Sequence, residues 1–183
     1  MAYKIALTGH RPDGLPVRDA YNLNQNYYKR MYHWLRNKLI NEIKNHGHIE
    51  AYSGLALGCD TVWAFAILSV KEDYPNQITF VAAIPDYNQS SRWRSDVDKR
   101  RWSSFIRSAD KIIDTSKIYP NVSYGQLLQL RNLQMIDPAD ELIAIYNGST
   151  HRSGTGNAVQ SAKNKSKNIT IVHPNTFVSK DEY

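Results

Sequence analysis

The sequence predicts an α/β protein, a Rossmann-like three-layer domain built on a mainly parallel sheet of about six strands. Two observations carry this. Short runs rich in β-branched and apolar residues alternate with longer stretches of helical period, an order that demands right-handed crossovers between parallel neighbours. The strand runs are also near-continuously apolar, as in "ITFVAAI", which marks a sheet covered on both faces. With 183 residues, 42% of them apolar, and no repeat, linker or low-complexity tract, residues 1–183 read as one domain.

The elements follow in order. Tyr3–Thr8 ("YKIALT") is the first strand. From Asn24 to His46, Tyr28, Tyr32, Leu35, Leu39 and Ile43 recur at helical spacing, and Gly47 stops the run. "IEAYS" is the second strand and "DTVWAFAILSVKE" a mostly apolar helix. "ITFVAAI" is the third strand, ended by Pro85, and a helix over Arg94–Ala109 leads to the fourth, "KIID". A shorter helix around Gln126–Met135 precedes the fifth strand, "ELIAIY". Ala158–Lys165 is helical, and "ITIVH" is the sixth strand.

The formal net charge is +6, concentrated in "SRWRSDVDKRRW" and "KNKSKN". The second reads as a helix end, where lysines complement the dipole. This charge suits any phosphate-bearing ligand and does not select DNA. No apolar run approaches the roughly 18 residues of a membrane span, and the chain enters its first strand without a signal-peptide pattern. A cytoplasmic protein without membrane partners is therefore expected. Cys59 is the one cysteine, so no internal disulfide or cysteine zinc cluster is expected; neither a metal nor a cofactor is predicted.

In such a sheet, ligands bind beyond the carboxyl ends of the strands. "TGHRP" places Gly9 where the chain leaves the first strand, with His10 and Arg11 on the rim; Arg11 is suited to gripping a phosphate or carboxylate. "SGLALGCD" puts Ser53, Gly54 and Gly58 at the next strand end, in a G-x-x-x-G spacing unlike the dinucleotide fingerprint. Asp60 reads as the N-cap of the following helix and is a weak catalytic candidate; Cys59 reads as a small packing residue. In "DYNQSSRWRSDVDKRRW", Trp93 and Arg94 lie nearest the rim and are the ligand-contact candidates, while Arg100 and Arg101 face water. "YNGSTHRSGTGNAV" is the richest segment. Asn147, Gly148 and Ser149 leave the fifth strand, and Ser153, Gly154, Thr155 and Gly156 open a helix whose free amides and hydroxyls form an anion seat.

Together, "TGHRP", "SGLALGCD", "RNLQMID" and "NGSTHRSGTGNAV" resemble the SLOG superfamily, which unites the Rossmann domain of DNA-processing protein A with the LOG phosphoribohydrolases. The nearest branch is the small bacterial and phage proteins related to the YpsA group, and the resemblance runs from Tyr3 to about His173. It implies a Rossmann-like fold with a nucleotide-type ligand at the strand ends, in the host cytoplasm if the protein is phage-encoded. It also implies that Thr8, Gly9, Arg11, Ser53, Gly54, Gly58, Gly154 and Thr155 line that pocket, and that Arg131 and Asn132 reach it. One departure matters. LOG enzymes place an essential glutamate three residues after the motif threonine, and here that position is Ala158, which has no acid–base chemistry.

A nucleotide-binding sensor or sequestering protein is therefore the leading reading. A hydrolase of an N-glycosidic or phosphate bond, using Asp60, Asp86 or Asp137, is the alternative; a DNA-binding module is the third and less favoured. Tyr27, Met31 and Trp34 add apolar surface beside the first helix's core stripe and predict a homodimer or higher homo-oligomer.

Overall fold

The computed structural model describes residues 1–148 and 153–182, with side chains described through Lys180. The sheet strands are β1 (Tyr3–Gly9), β2 (Ile49–Ser53), β3 (Ile78–Ile84), β4 (Lys111–Asp114), β5 (Glu141–Ile145), β6 (Asn168–Val172) and β7 (Ser179–Glu182). The helices are α1 (Asn26–His46), α2 (Cys59–Asp73), α3 (Asp96–Ser108), the single turn α4 (Thr115–Ile118), α5 (Tyr124–Ile136) and α6 (Gly154–Asn164). The strand order is β4-β3-β2-β1-β5-β6-β7. All neighbours are parallel except β7, which runs antiparallel to β6.

The alternation of apolar strands and helices thus produces the expected Rossmann-like sheet, with one strand more than the six predicted. β7, "SKDE", has no apolar signal. Its pairing is made through the backbone, after a reversal held by Phe177 N–H to His173 O (2.9 Å) and His173 N–H to Val178 O (3.0 Å). Helix starts also shift, each toward a capping side chain. α6 begins four residues before Ala158 because the Ser153 hydroxyl accepts from Gly156 N–H at 2.8 Å. α3 begins at Asp96 because Ser95 accepts from Asp98 N–H, and α5 begins at Tyr124 behind a Ser123/Gln126 capping box.

Residues of α1, α2 and α3 pack in one buried layer against the sheet and those of α5 and α6 in the other, as right-handed crossovers in this strand order require. The first layer buries Leu35, Leu39, Trp63, Ile67 and Phe105; the second buries Met135, Ile136, Ala158, Val159 and Ala162. Each large side chain so buried stabilises the fold by about 1.5–3 kcal/mol. Trp63 keeps its polar end satisfied, its indole N–H donating to Tyr52 O at 2.9 Å. The edge at β4 is fixed by Asp110, which accepts from Phe80 N–H at 2.8 Å and pairs with Lys71. Burial favours the neutral acid, but these hydrogen bonds prevail and hold the Asp110 carboxyl below its ordinary range.

On α1, Met31 lies in the core and Tyr32 is only half-buried, reversing the predicted stripe at that turn. Tyr27 and Trp34 pack half-buried against the same core, Tyr27 with its ring 5.4 Å from those of Tyr28 and Phe177. Part of the apolar surface that predicted self-association is thus packed within the chain.

Candidate functional site

The chain winds outward from β1 to β4 and returns to the other side of β1 with β5, so the switch in strand order lies between β1 and β5. Their carboxyl ends open there onto a cavity of about 320 Å³. β1 and the turn that follows it contribute Thr8, Gly9, His10 and Arg11; the loop after β2 contributes Ala56, and α2 contributes Asp60. α5 supplies Leu128, Arg131, Asn132 and Met135, and the start of α6 supplies Ser153, Gly154 and Thr155.

The glycine loops turn out to be scaffolding for this cavity. A Cβ on Gly9 would stand 2.5 Å from Cys59 Cβ and 2.6 Å from its Sγ, so glycine lets α2 press against the end of β1. Gly58 has φ +92° and caps α2; a Cβ there would lie 2.7 Å from His10 O. The two loops "TGHRP" and "SGLALGCD" therefore sit back to back. Ser53 is fully buried and turns its hydroxyl inward, accepting from Leu55 N–H at 3.2 Å. Ser53, Gly54 and Gly58 shape the wall without lining the cavity.

Asp60 is not the helix cap the sequence predicts, because Gly58 holds that position. Asp60 lies in the first turn of α2, 6% exposed. Its Oδ2 accepts from Ala56 N–H at 3.2 Å and stands 3.6 Å from Arg131 Nη1. Burial pushes the Asp60 carboxyl up, against the pull of Arg131 and the Ala56 amide. Burial, with Arg11 adding repulsion, pushes the Arg131 guanidinium down, against the pull of Asp60. Arg131 is 6% exposed, and its Nε and Nη1 have no hydrogen-bond partner. Buried donors of this kind cost about 1–3 kcal/mol each when unsatisfied. His10 Nε2 is likewise buried without a partner.

The charges in the cavity do not cancel. Arg11 and Arg131 face the single carboxylate of Asp60 among the described lining residues, and the first turn of α6 adds amides that the helix itself cannot satisfy. A Cβ on Gly154 would meet nothing within 4 Å among the described residues, so glycine is not required there by a described neighbour. The arrangement is suited to an anion small enough to touch two guanidinium groups and a helix start.

Other candidates lie elsewhere. Asn147, Gly148 and Gly156 line a neighbouring cleft of about 980 Å³ between α6, β6 and β7, which meets the anion cavity at Ser153. Trp93 is turned away, half-buried beside Leu57, Trp102 and Phe105. Its indole completes the packing under α3 and does not reach the ligand cavity for which the sequence proposed it. Arg94 is exposed and, with Arg11, within electrostatic reach of Tyr21. Ser149 lies outside the described residues. Sequence reasoning missed Leu128 and Met135, although their spacing from Arg131 puts them on its helix face. Ala158 is 2% exposed in the second core layer.

A Rossmann-like α/β domain with an anion-suited cavity at its switch point is the class these features define. Two solved structures share the fold. The DNA processing protein A of Streptococcus pneumoniae matches with a TM-score of 0.61 at 18% identity, over 94% of this chain and 50% of that one. The Helicobacter pylori DNA processing protein A, whose structure concerns a single-stranded DNA binding mode, matches with a TM-score of 0.56 at 16% identity, over 97% of this chain and 68% of that one. The fold implied by the SLOG resemblance is thus the fold present. This chain spans only half the length of the pneumococcal protein. In sequence it is 29% identical over 119 residues, 61% of this chain and 67% of the relative, to the uncharacterized SPbeta prophage-derived protein YoqJ of Bacillus subtilis strain 168. No family model matches the sequence.

Proposed function

We propose that the chain is a nucleotide-binding protein that seats a ligand phosphate on Arg131, Arg11 and the start of α6, and that it senses or sequesters the ligand without cleaving it. The observation that carries this reading is the buried Arg131 guanidinium beside an open cavity, its Nε without a hydrogen-bond partner and its Nη1 held only by the 3.6 Å approach to Asp60. A phosphate oxygen satisfies such donors, and a second arginine and a helix start surround the same space.

Binding without turnover is supported by where the carboxylates stand. Asp60 is engaged by Arg131, Asp86 by Arg92 and Asp137 by Lys165. The position of the LOG glutamate is filled by Ala158 in the core. Single-stranded DNA is the second reading, favoured by the net charge of +6 and by the ligand named for the Helicobacter protein. Phosphate contacts to DNA would give affinity that falls steeply with salt.

The test is a thermal-shift screen of the native protein against nucleotides and short oligonucleotides, followed by chromatography of the bound fraction. A stabilising nucleotide recovered intact, with the shift lost in Arg131→Ala, supports the proposal. Release of free base or ribose phosphate makes the protein a hydrolase. A shift confined to oligonucleotides and abolished by salt moves the function to DNA.

A further inference from the structure

Beyond the carboxyl end of β3, the chain holds a further planar cation that the anion cavity does not use. Arg92 is fixed on several sides. Its Nη1 and Nη2 donate to Asp86 Oδ1 and Oδ2, both at 3.1 Å. Nη1 also donates to Asn88 O at 2.7 Å, and the guanidinium lies 3.8 Å from the centre of the Tyr124 ring. Even so, its side chain is 41% exposed. A lone surface ion pair adds little stability, so bracing of this extent is not explained by the fold. It holds a flat guanidinium in one orientation.

Two connections tie this pair to the anion cavity. Tyr124 begins α5, and Tyr124, Leu128, Arg131 and Met135 recur at the spacing of one helix face. The last three line the cavity. Tyr124 stands about 10 Å along the axis from Arg131 and within its electrostatic reach. From the other side, the buried Gln89, three residues before Arg92, donates to Gly54 O at 3.0 Å. Gly54 is the residue against which Arg131 is packed. The loop carrying Arg92 is therefore fastened to the wall of the anion site.

We propose that the Arg92–Tyr124 stack is the platform for the base of a nucleotide whose phosphate sits on Arg131. The ligand is then a base-bearing nucleotide and not a sugar phosphate. This rests on the phosphate reading above. An immobilised guanidinium with an open face stacks on any nucleobase, and purines offer the larger area.

Calorimetry with inorganic phosphate, ribose 5-phosphate, AMP, GMP, CMP and UMP tests this on the wild type, Arg92→Ala and Tyr124→Leu. At least one nucleotide is expected to bind the wild type roughly ten- to a hundredfold more tightly than ribose 5-phosphate. In both variants that gap closes to within about threefold, while ribose 5-phosphate affinity stays unchanged and certifies the fold. Equal affinity of ribose 5-phosphate and all four nucleotides for the wild type overturns the platform alone, as does a gap that survives in both variants. Failure of every phosphate-bearing probe to bind the wild type overturns the phosphate reading and the platform with it.

Discussion

Gly54→Ala isolates the interlock between the loop after β2 and Arg131. Gly54 is absent from the glycines with positive φ, so alanine brings no backbone strain. The added methyl is the whole perturbation. It would overlap Arg131 Nη1, and it would stand 2.5 Å from Cζ and 2.8 Å from Asp60 Oδ2. Restoring ordinary contact needs the guanidinium to retreat by about 1 Å or more, which breaks its 3.6 Å approach to Asp60. Arg131 lines a cavity and can swing into it. The stability loss should therefore stay below the about 3–5 kcal/mol expected for deleting one partner of a buried pair. Binding has no such relief, because the displaced side chain enters the ligand's space. Loss of one charge-assisted contact corresponds to about 1.5–3 kcal/mol, or roughly ten- to a hundredfold in affinity. The assay is urea denaturation and nucleotide titration of Gly54→Ala, Arg131→Ala and the double variant. In the Arg131→Ala background only Asp60 Oδ2 still crowds the added methyl, at 2.8 Å, so its further cost should be smaller than in the wild type. Full additivity of the two substitutions, or wild-type affinity in Gly54→Ala, would refute the interlock.

Ala158→Glu should lower stability by about 2–5 kcal/mol and yield no hydrolysis, because the carboxylate would enter the second core layer. A stable variant that releases free base from a nucleotide would contradict this. Asp110→Asn should flatten the acid side of the stability profile. The Asp110 carboxyl is held below its ordinary range, so its contribution is full above the unfolded value of about 3.9 and is lost as pH falls through the folded one. Urea midpoints at neutral pH and near pH 3 (about the start of its protonation) check it: the variant should lose less than the wild type, and an equal or greater loss defeats the assignment.

The parallel sheet was legible because β1, β2, β3 and β5 are apolar on both faces, a pattern few other folds require. β7 was not, since "SKDE" is held by backbone bonds to β6 and leaves no trace in side-chain pattern. The rim of the site was legible at Thr8–Arg11 and Ser153–Thr155, where glycines and hydroxyls fall between a strand and a helix. The roles of the glycines were not. Gly9, Gly54 and Gly58 look alike in sequence, yet one admits Cys59, one admits Arg131 and one permits a left-handed turn. What separates them is the neighbour each meets, which is a property of the tertiary structure. The Asp60–Arg131 pair was hidden for the same reason, its members lying far apart in the chain.

The pairing of β1 with β5 has a consequence for how the molecule comes into being. Residues up to Asp114 complete β4-β3-β2-β1, each strand laid beside its predecessor through a local crossover. β1 stays an open edge until Glu141–Ile145 arrives opposite Ile5–Gly9. That closure joins segments well over a hundred residues apart and is the entropically demanding step. The anion cavity straddles this seam, with Arg11 and Asp60 made early and Arg131 and Gly154 made late. It does not exist until the seam shuts. On the proposed phosphate reading, a ligand held there would act as a clasp across the two halves and slow their separation more than that of β3 from β4. Amide exchange in β5 and β6 should record that clasp more than exchange in β3.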